Sequence, residues 1–310
     1  MKEKILITGG AGFIGSHIVD LFIKNGHKVV IVDNLCRGSK KNINAQAKFY
    51  QVDILSPRLR RIFHQEKPEI VIHEAAQINV RESVKDPKFD ARINILGSIN
   101  LLQIAAKSKI KKIIYSSSGG AVYGEPHYLP VDEKHPIGPL SPYGASKYTV
   151  ELYLKYFAKL SGFSYVILRY SNVYGLRQDP KGEAGVVSIF IDKFLQNEQP
   201  KIFGDGNQRR DFINVKDIAR ANYLAYKKVS NETLNIGSGK EISVNQIFKL
   251  LKSLLGSGLK PEFTDPIPGE VRRIYLDIKK AKKIMGFKPK TSFKQGLKET
   301  INWVKSVSHD

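Results

Sequence analysis

The chain has 310 residues, of which 42% are hydrophobic and 25% charged, an ordinary composition for a globular protein with a large core in one or two domains. No apolar run approaches the ~18 residues of a membrane span, and the N-terminal residues become strand-like too early for a signal peptide, so we expect a cytoplasmic protein without membrane contact. The single cysteine, Cys36, excludes an intrachain disulfide, and the net charge of +21 favours anionic ligands.

The first half of the chain alternates short apolar strands with amphipathic helical patterns. We predict strands at 4–8, 28–33, 48–53, 69–75, 111–118 and 162–170, and helices at about 13–25, 57–66, 87–107 and 143–161. Strands that alternate with helices indicate βαβ units and a parallel sheet with helices on both faces. Continuous runs of isoleucine and valine, as in KVVIVD, are typical of strands buried on both sides.

The second half is less regular and contains helical patterns near 186–196, 216–228, 244–255 and 293–306. It has no internal repeat and no low-complexity linker, so we expect a smaller α/β domain packed against the carboxyl ends of the sheet. The predicted nucleotide-binding domain spans 1–171 plus about 212–237. The predicted substrate domain comprises about 172–211 and 238–310.

The first strand runs into GGAGFIGS, which has the glycine spacing of a dinucleotide-binding loop. Gly9 permits a tight turn, Gly12 lets the backbone approach a pyrophosphate, and Gly15 lets the following helix pack closely on the sheet. Asp33 ends the second strand, where a carboxylate binds an adenosine ribose and repels a 2′-phosphate, although Arg37 stands nearby. The sequence therefore predicts a Rossmann-type, doubly wound domain that binds NAD rather than NADP.

The stretch SPYGASK places Tyr143 one helical turn before Lys147. Ser141 is a suitable N-cap and Pro142 a suitable first helical residue, so both side chains lie near the start of a helix. A lysine ammonium and a cationic nicotinamide both favour the phenolate. These charges tune a tyrosine toward use as a base near neutral pH.

Two other tyrosines, Tyr223 and Tyr275, also precede a lysine by four residues. Neither follows a strand of the nucleotide-binding domain, whereas Tyr143 follows the strand KKIIYSSS. Ligands of open α/β sheets bind at the carboxyl ends of strands, where Ser117 and Ser118 stand. We therefore predict that Tyr143 is the base and that one serine hydroxyl contacts both it and the substrate.

Taken in order along nearly the whole chain, these motifs resemble the extended short-chain dehydrogenase/reductase family, and within it UDP-glucose 4-epimerases and related nucleotide-sugar epimerases. The motifs are TGGAGFIGSH, VIVDNL, Asp53–Ile54, HEAAQ at 73–77, SSSGGAVYG, SPYGASK, LRYSNVYG, IFGDGNQRRDFINVKD and PGEVRR. The resemblance implies NAD-dependent 4-epimerisation of a UDP-sugar, UDP-glucose and UDP-galactose first, through a transient 4-keto sugar.

The resemblance also implies a role for each matched position. The catalytic residues would be Tyr143, Lys147, Ser118 and Ser117. The cofactor would be bound by Gly9, Gly12, Phe13, Ile14, Gly15, Asp33, Asn34, Asp53, Ile54, Ala75, Ala76, Gln77, Asn94, Tyr143, Lys147 and Tyr170. The substrate would be bound by Ser118, Tyr143, Asn172, Val187, Arg210 and Arg272. No metal is implied.

The implied chemistry begins with proton transfer from the sugar C4 hydroxyl to Tyr143 as C4 gives up a hydride to NAD⁺. Lys147 would lower the tyrosine pKa and hold the nicotinamide ribose. Arg210 and Arg272 would grip the UDP pyrophosphate while the loosely held keto sugar turns over and takes the hydride back on its other face. NAD⁺ is regenerated, so tight retention is expected.

Two departures from the family pattern stand out. Gly119–Gly120–Ala121 is one residue longer than the same stretch in many members, so either Ser117 or Ser118 can fill the catalytic serine's place. Glu74 replaces a more usual apolar residue, and the sequence gives it no role. The two glycines also stand where dehydratases need an Asp–Glu pair and decarboxylases a glutamate, which argues against both reactions.

Alternative functions remain at this point. UDP-N-acetylglucosamine or UDP-glucuronate could be the substrate. The family position that gates the pocket for the N-acetyl group aligns with Ile274, which is neither bulky enough to close that pocket nor small enough to open it. Arg273 could face the carboxylate of a glucuronate. From another class, a non-catalytic NAD-binding protein could contact RNA through its basic surface. Scattered lysines and the lack of an RNA-binding motif make nucleic acid a disfavoured partner.

The resemblance also implies a homodimer formed by the two long helices predicted near 87–107 and 143–161. Tyr153 and Tyr156 are candidate interface residues on the second of these helices.

Overall fold

A computed structural model describes residues 2–180, 185–266 and 271–307. Its strands, in chain order, are β1 (Lys4–Thr8), β2 (Lys28–Asp33), β3 (Lys48–Gln51), β4 (Ile70–His73), β5 (Lys112–Ser118), β6 (Ser164–Tyr170), β7 (Asn172–Tyr174), β8 (Lys201–Phe203), β9 (Arg209–Asn214), β10 (Glu232–Ile236), β11 (Glu241–Ser243), β12 (Glu262–Thr264) and β13 (Arg273–Ile274).

The helices match most of the predicted ones to within two residues. They are α1 (Phe13–Lys24), α2 (Arg58–Glu66), α3 (Val80–Lys85), α4 (Pro87–Ala91), α5 (Gly97–Ala106), α6 (Pro142–Ser161), α7 (Val186–Leu195), α8 (Val215–Lys228), α9 (Val244–Leu255), α10 (Lys279–Met285) and α11 (Phe293–Val307). A short 3₁₀ turn spans Lys40–Asn42.

The main sheet has seven strands in the order β10-β6-β5-β4-β1-β2-β3, and all its neighbouring strands run parallel. Alternate side chains of β1 enter different cores: Ile5 and Ile7 face the layer of α1 and α8, and Leu6 faces the layer of α2, α5 and α6. The predicted doubly wound α/β fold is confirmed. Because β1 lies between β2 and β4, the strand order reverses beside β1, and a crevice opens at the carboxyl ends there.

The second half of the chain adds two small sheets over this edge. β9 pairs with β7, β11 and β13, and β8 pairs with β12. Helices α7, α9 and α11 enclose a separate apolar core around Phe190, Phe248 and Leu297. β9 spans the domain boundary predicted at about 212 and pairs entirely within the smaller sheet.

Two local features of the first half differ from the prediction. The segment Arg92–Leu96 is a π-helical turn inside the predicted helix at 87–107. Helix α3 is additional, and the Asn79 side chain caps it by accepting a hydrogen bond from the Glu82 backbone N–H. In the described ranges, no helix combines the length and the apolar character needed to cross a membrane.

Candidate active site

The glycine-rich loop between β1 and α1 is packed too tightly for side chains. Gly9 has φ of +69°, and its N–H donates to the Val32 carbonyl at 2.9 Å. A Cβ on Gly15 would lie 2.2 Å from the Gly9 oxygen, and one on Gly9 would lie 2.7 Å from the Ala75 nitrogen. The backbone of this loop can therefore approach a pyrophosphate directly. Gly12 is the N-cap of α1 and places no side chain before the helix's first N–H groups.

Asp33 and Asp53 hold the loops at the other end of this crevice. The Asp33 carboxylate accepts hydrogen bonds from the N–H groups of Ala11 (3.0 Å) and Leu35 (2.8 Å), and burial raises its pKa. The Asp53 carboxylate accepts from the Asn34 side chain at 2.7 Å and from a backbone N–H at 2.8 Å. These bonds fix Asp33 at the end of β2, where a ribose hydroxyl would meet it, and hold Asp53 just beyond β3.

A cavity of about 930 Å³ follows the glycine loop, at the upper end of the size range of small-molecule sites. Most of the predicted cofactor residues line it: Gly9, Gly12, Phe13, Ile14, Gly15, Asp33, Asn34, Asp53, Ile54, Ala75 and Ala76. The open backbone of the loop, the helix N-terminus and the two acids fit a dinucleotide.

The cavity has walls that the sequence did not reveal. One is the polar loop after β2, and it contributes Cys36, Arg37, Gly38, Ser39, Lys41 and Asn42. The position of this loop directly after Asp33 was the sequence feature that could have indicated its place in the cavity wall. The opposite wall comes from Arg177, Gln178 and the last helix, with Trp303 and Val307. No local pattern indicates those residues, because only tertiary packing brings α11 to the crevice.

Tyr143 lies at the first turn of α6, beyond the carboxyl end of β5. Ser141 caps the helix by accepting a hydrogen bond from the Gly144 N–H at 3.1 Å. Burial raises the pKa of Tyr143 to about 12, although the neighbouring Ser118 side chain acts to lower it. The phenol is therefore protonated at neutral pH until further positive charge arrives beside it.

Lys147 lies one turn further along α6 and is only 4% exposed. Its Nζ lies 4.9 Å from the centroid of the Tyr115 ring. Burial lowers the pKa of Lys147 to about 8, and the nearby carboxyls of Glu74 and Asp90 act in the opposite direction. The ammonium form therefore still predominates at neutral pH, and it supplies a positive charge in a buried site.

Ser117 has other partners than Ser118. Its Oγ donates to Glu151 Oε1 at 2.6 Å, and Glu151 forms a buried ion pair with Arg169, whose Nη2 lies 2.6 Å from Oε2. The ring hydroxyl of Tyr123 also accepts from Arg169, at 2.9 Å. This network lies within the protein interior and directs Ser117 away from Tyr143.

Asn94 and Gln77 support the site through hydrogen bonds to each other. The Gln77 N–H donates to Asn94 Oδ1 at 2.8 Å, and Asn94 Nδ2 donates back to the Gln77 carbonyl at 2.9 Å. Asn94 also bonds Asp90 and the Ser146 hydroxyl of α6. The π-helical turn thus ties the loop after β4 to the helix of Tyr143. Neither Asn94 nor Gln77 lies in the wall of the 930 Å³ cavity.

Tyr170 ends β6 and is 5% exposed. Its hydroxyl lies 3.1 Å from Glu74 Oε1 and 3.0 Å from Ser116 Oγ, and it accepts from Asn222 Nδ2 at 2.7 Å. Ser116 Oγ in turn donates to Glu74. Tyr170 is thus part of a buried polar network beneath the cavity.

Two of the predicted substrate residues, Asn172 and Val187, differ in their exposure to solvent. Asn172 is exposed and lies near Gly120 and Ser118. A Cβ built on Gly120 would be 3.7 Å from Asn172 Oδ1 and 4.0 Å from Ser118 Oγ. Val187 is 1% exposed within the apolar core of the smaller sheets, so its side chain is not available to a ligand.

Of the two predicted arginines, Arg210 lies on β9 and Arg272 directly precedes β13, which pairs with β9. Arg210 of β9 is half-buried and donates to the Arg209 carbonyl at 2.9 Å. Arg272 is exposed and forms a bidentate pair with Asp205, with distances of 2.8 and 2.6 Å, and this pair holds the pKa of Asp205 well below its usual range. Residues 268–270 of the PGEVRR motif lie outside the described residues.

A parallel Rossmann sheet with a dinucleotide crevice, and with a tyrosine, a lysine and a serine beside it, is the architecture of the extended short-chain dehydrogenase/reductases, and this chain has it. A family model described as the NAD dependent epimerase/dehydratase family matches residues 5–237. The chain belongs to that family.

Three solved structures show how similar the chain is to known members. UDP-glucose 4-epimerase of Thermotoga maritima, solved with UDP-glucose, is 48% identical with a TM-score of 0.97, over 98% of this chain and 99% of that one. UDP-N-acetylglucosamine 4-epimerase of Methanobrevibacter ruminantium, solved with UDP-N-acetylmuramic acid, is 38% identical with a TM-score of 0.94, over 99% and 100%. UDP-glucuronic acid 4-epimerase of Bacillus cereus, solved with UDP-glucuronic acid and NAD, is 32% identical with a TM-score of 0.90, over 98% and 99%.

These findings confirm the predicted family, the fold, the NAD cofactor and an enzyme of the isomerase type. The alternative of a non-catalytic NAD-binding protein is therefore not retained. The similar structures carry three different UDP-sugars, so they leave the sugar to be argued from the chain itself.

Proposed function

We propose that the protein is a UDP-sugar 4-epimerase whose first substrate pair is UDP-glucose and UDP-galactose. One observation supports this most: Ser118, Tyr143 and Lys147 converge beside the dinucleotide crevice, at the carboxyl edge of the sheet. This is the arrangement needed to remove a proton from a hydroxyl while the same carbon loses a hydride.

Each side chain has a distinct task in this proposal. Tyr143, as phenolate, accepts the proton of the sugar C4 hydroxyl through its hydroxyl oxygen, and returns it when the alcohol re-forms. Ser118 donates a hydrogen bond to the same sugar oxygen and exchanges hydrogen bonds with Tyr143. Lys147 keeps a positive charge beside the pair. Bound NAD supplies a reversible acceptor for the hydride of C4.

We propose Ser118 rather than Ser117 as the catalytic serine. Ser118 is the serine that acts on the pKa of Tyr143, while the Ser117 hydroxyl donates to Glu151. We also assign cofactor binding to the cavity-lining residues named above, and a supporting role to Asn94 and Gln77, which fix the loop beside Tyr143.

Anchoring of the UDP moiety is assigned to Arg210, Arg272 and Asn172 in the smaller sheets. A pyrophosphate offers the planar guanidinium of Arg272 the same bidentate geometry that Asp205 offers now. Binding would therefore exchange one anion for another at this exposed arginine. The division of the chain into a nucleotide-binding part and a nucleotide-sugar-binding part rests on this assignment.

The choice of sugar rests on two residues. Arg273, the group that could have favoured a glucuronate, forms a bidentate pair with Glu241 at 2.6 and 2.9 Å, which lowers its value as a carboxylate ligand. Ile274 is 3% exposed and packs with Val122 and Leu276, so it neither fills nor opens a sugar pocket. UDP-N-acetylglucosamine is thus the second candidate and UDP-glucuronate the third.

The decisive experiment offers UDP-galactose, UDP-N-acetylglucosamine and UDP-glucuronate separately to the purified protein with NAD, and separates the 4-epimers by chromatography. We expect conversion of UDP-galactose to be fastest. Tyr143→Phe should lower the rate by about 10²–10⁴-fold with the fold retained, because it removes the base. Conversion of none of the three sugars would overturn the proposal.

We further propose that the protein works in the cytoplasm as a homodimer. Exposed apolar side chains cluster on α3, α4 and α6, and they include Val84, Phe89, Leu152, Tyr156 and Leu160. A second copy of the chain would cover such a face.

A further inference from the structure

The Glu74 carboxyl is shielded from solvent, which makes its ionised form costly. It directly follows β4 at the carboxyl edge of the sheet, and two hydroxyls meet the same oxygen, Oε1: those of Ser116 and Tyr170. Asn222 donates to the Tyr170 hydroxyl and so directs its proton toward Glu74. Two donors on one oxygen suit an ionised carboxylate.

The position of Glu74 relative to the cofactor crevice follows from the strand order. β1 carries the glycine loop, and β2 and β4 flank it. Asp33 stands on the β2 side, and Glu74 stands on the β4 side and lines the same cavity. A dinucleotide whose adenosine ribose meets Asp33 therefore has its nicotinamide on the side of Glu74, Tyr143 and Lys147.

Three carboxyls act on the buried Lys147, those of Glu74, Asp90 and Glu151, and of these three only Glu74 lines the cofactor cavity. Lys147 is a buried cation, and a bound NAD⁺ adds the positive charge of its nicotinamide. Two positive charges in one buried site repel each other and are poorly solvated. Glu74 and Lys147 interact electrostatically, and burial raises the pKa of Glu74 while Lys147 and Ser116 act to lower it. An ionised Glu74 offsets one positive charge.

We propose that Glu74 makes the protein bind NAD⁺ in preference to NADH. The carboxylate stabilises the cationic nicotinamide and has no such effect on the neutral reduced ring. This keeps the resting enzyme in the oxidised form that can start a reaction. Glu74 is a positioning and tuning residue, because it acts through charge and not through the transferred atoms.

The test compares cofactor selectivity among four proteins. Wild type, Glu74→Gln, Glu74→Asp and Glu133→Gln are equilibrated with equal amounts of NAD⁺ and NADH and separated from unbound cofactor. They are then unfolded, and the released NAD⁺ and NADH are quantified by chromatography. Glu133 is the matched control, because its carboxyl is also shielded and hydrogen-bonded, to the Asn235 N–H at 2.7 Å, on the β10 side.

The bound NAD⁺:NADH ratio should fall about tenfold in Glu74→Gln, which corresponds to about 1.4 kcal/mol. It should stay near the wild-type value in Glu74→Asp and Glu133→Gln. Glutamine keeps the size and the hydrogen bonds, so a merely structural role would leave the ratio unchanged, and an unchanged ratio overturns the proposal. So does an aspartate variant that loses as much selectivity as glutamine.

If Glu74→Gln does not fold, Glu74→Leu decides by the same ratio. The measurement requires no turnover. A protein that fails to epimerise UDP-sugars but shows the expected ratios overturns only the proposed function, and an active epimerase with an unchanged ratio overturns only the role of Glu74.

Discussion

Ser117 and Ser118 are adjacent residues at the end of β5, and their side chains serve different parts of the protein. Successive side chains of a strand point to opposite faces. Ser117 faces the layer of α6 and donates to Glu151, whereas Ser118 ends the strand and acts on Tyr143 at the start of the same helix. In the proposed mechanism, these neighbouring hydroxyls therefore support catalysis and stability separately.

Replacing each serine by alanine should separate these effects. Ser118→Ala should lower kcat about 10²-fold with little change in stability, because a group beside the base is lost. Ser117→Ala should lower the free energy of unfolding by about 1–3 kcal/mol with kcat nearly unchanged, because a buried carboxylate loses a donor. Steady-state kinetics and urea denaturation measure both. A larger kinetic loss in Ser117→Ala would reverse the assignment.

Sequence reasoning located the residues whose positions depend on neighbours along the chain. The spacing of Gly9, Gly12 and Gly15 indicates a phosphate loop, and Tyr143 and Lys147 are one helical turn apart. It could not assign Glu74, because the partners of this carboxyl come from β5 and β6, and α8 contributes the donor to one of them. Such roles depend on strand order, which no local pattern encodes.

At the scale of elements, α6 presents a row of buried polar side chains to the sheet. Tyr143, Lys147 and Glu151 follow one another at intervals of four residues, so they lie on one face. The first two lie near Glu74, which lines the crevice, and Glu151 pairs with Arg169 of β6. One helix therefore orients the reactive groups and anchors itself by a buried ion pair two turns below Tyr143.

We expect Glu151→Ala to lower the free energy of unfolding by about 3–5 kcal/mol, because it leaves the Arg169 guanidinium buried without its counter-charge. The control is Glu262→Ala, since Glu262 pairs with Lys201 on the surface at 3.7 Å, where an ion pair contributes little. Urea denaturation of both variants gives the comparison. Equal losses would show that the pair on α6 is not the anchor.

The π-helical turn before α5 was beyond sequence reasoning. A helical pattern at 87–107 predicts helix throughout, and the region is helical in large part. One widened turn changes which residue faces inward without changing the apolar pattern noticeably. Here the turn contains Asn94, which bonds Gln77, Asp90 and Ser146.

At the scale of the whole molecule, the helices α3, α4 and α6 leave apolar side chains facing solvent. Tyr156 is 59% exposed and Leu160 66% exposed, one turn apart on α6. Large exposed apolar patches are uncommon on monomers. The face therefore supports the proposed homodimer.

Light scattering coupled to size-exclusion chromatography should give the mass of a dimer. The double variant Tyr156→Glu/Leu160→Glu should elute as a monomer, because it buries two charges in the proposed interface. Ile284→Glu on α10 is the control, since Ile284 is also exposed, at 36%, but lies on another surface. A wild-type monomer, or a double variant that remains a dimer, would contradict the proposal.

The overall architecture was more predictable than the way the smaller sheets meet the crevice. Alternating Ile/Val strands and helices indicate a doubly wound sheet, whereas β7, β8, β11, β12 and β13 have two or three residues each. Elements this short have no readable period. Their pairing is determined by contacts with distant parts of the chain.

The last helix carries Trp303, the sole tryptophan of the sequence, into the wall of the cofactor cavity. Indole emission overlaps the absorption band of reduced nicotinamide, so excited Trp303 can transfer its energy to NADH bound nearby but not to NAD⁺. The protein therefore contains its own optical probe. Quenching of the tryptophan signal follows the oxidation state of the bound cofactor continuously, without any label.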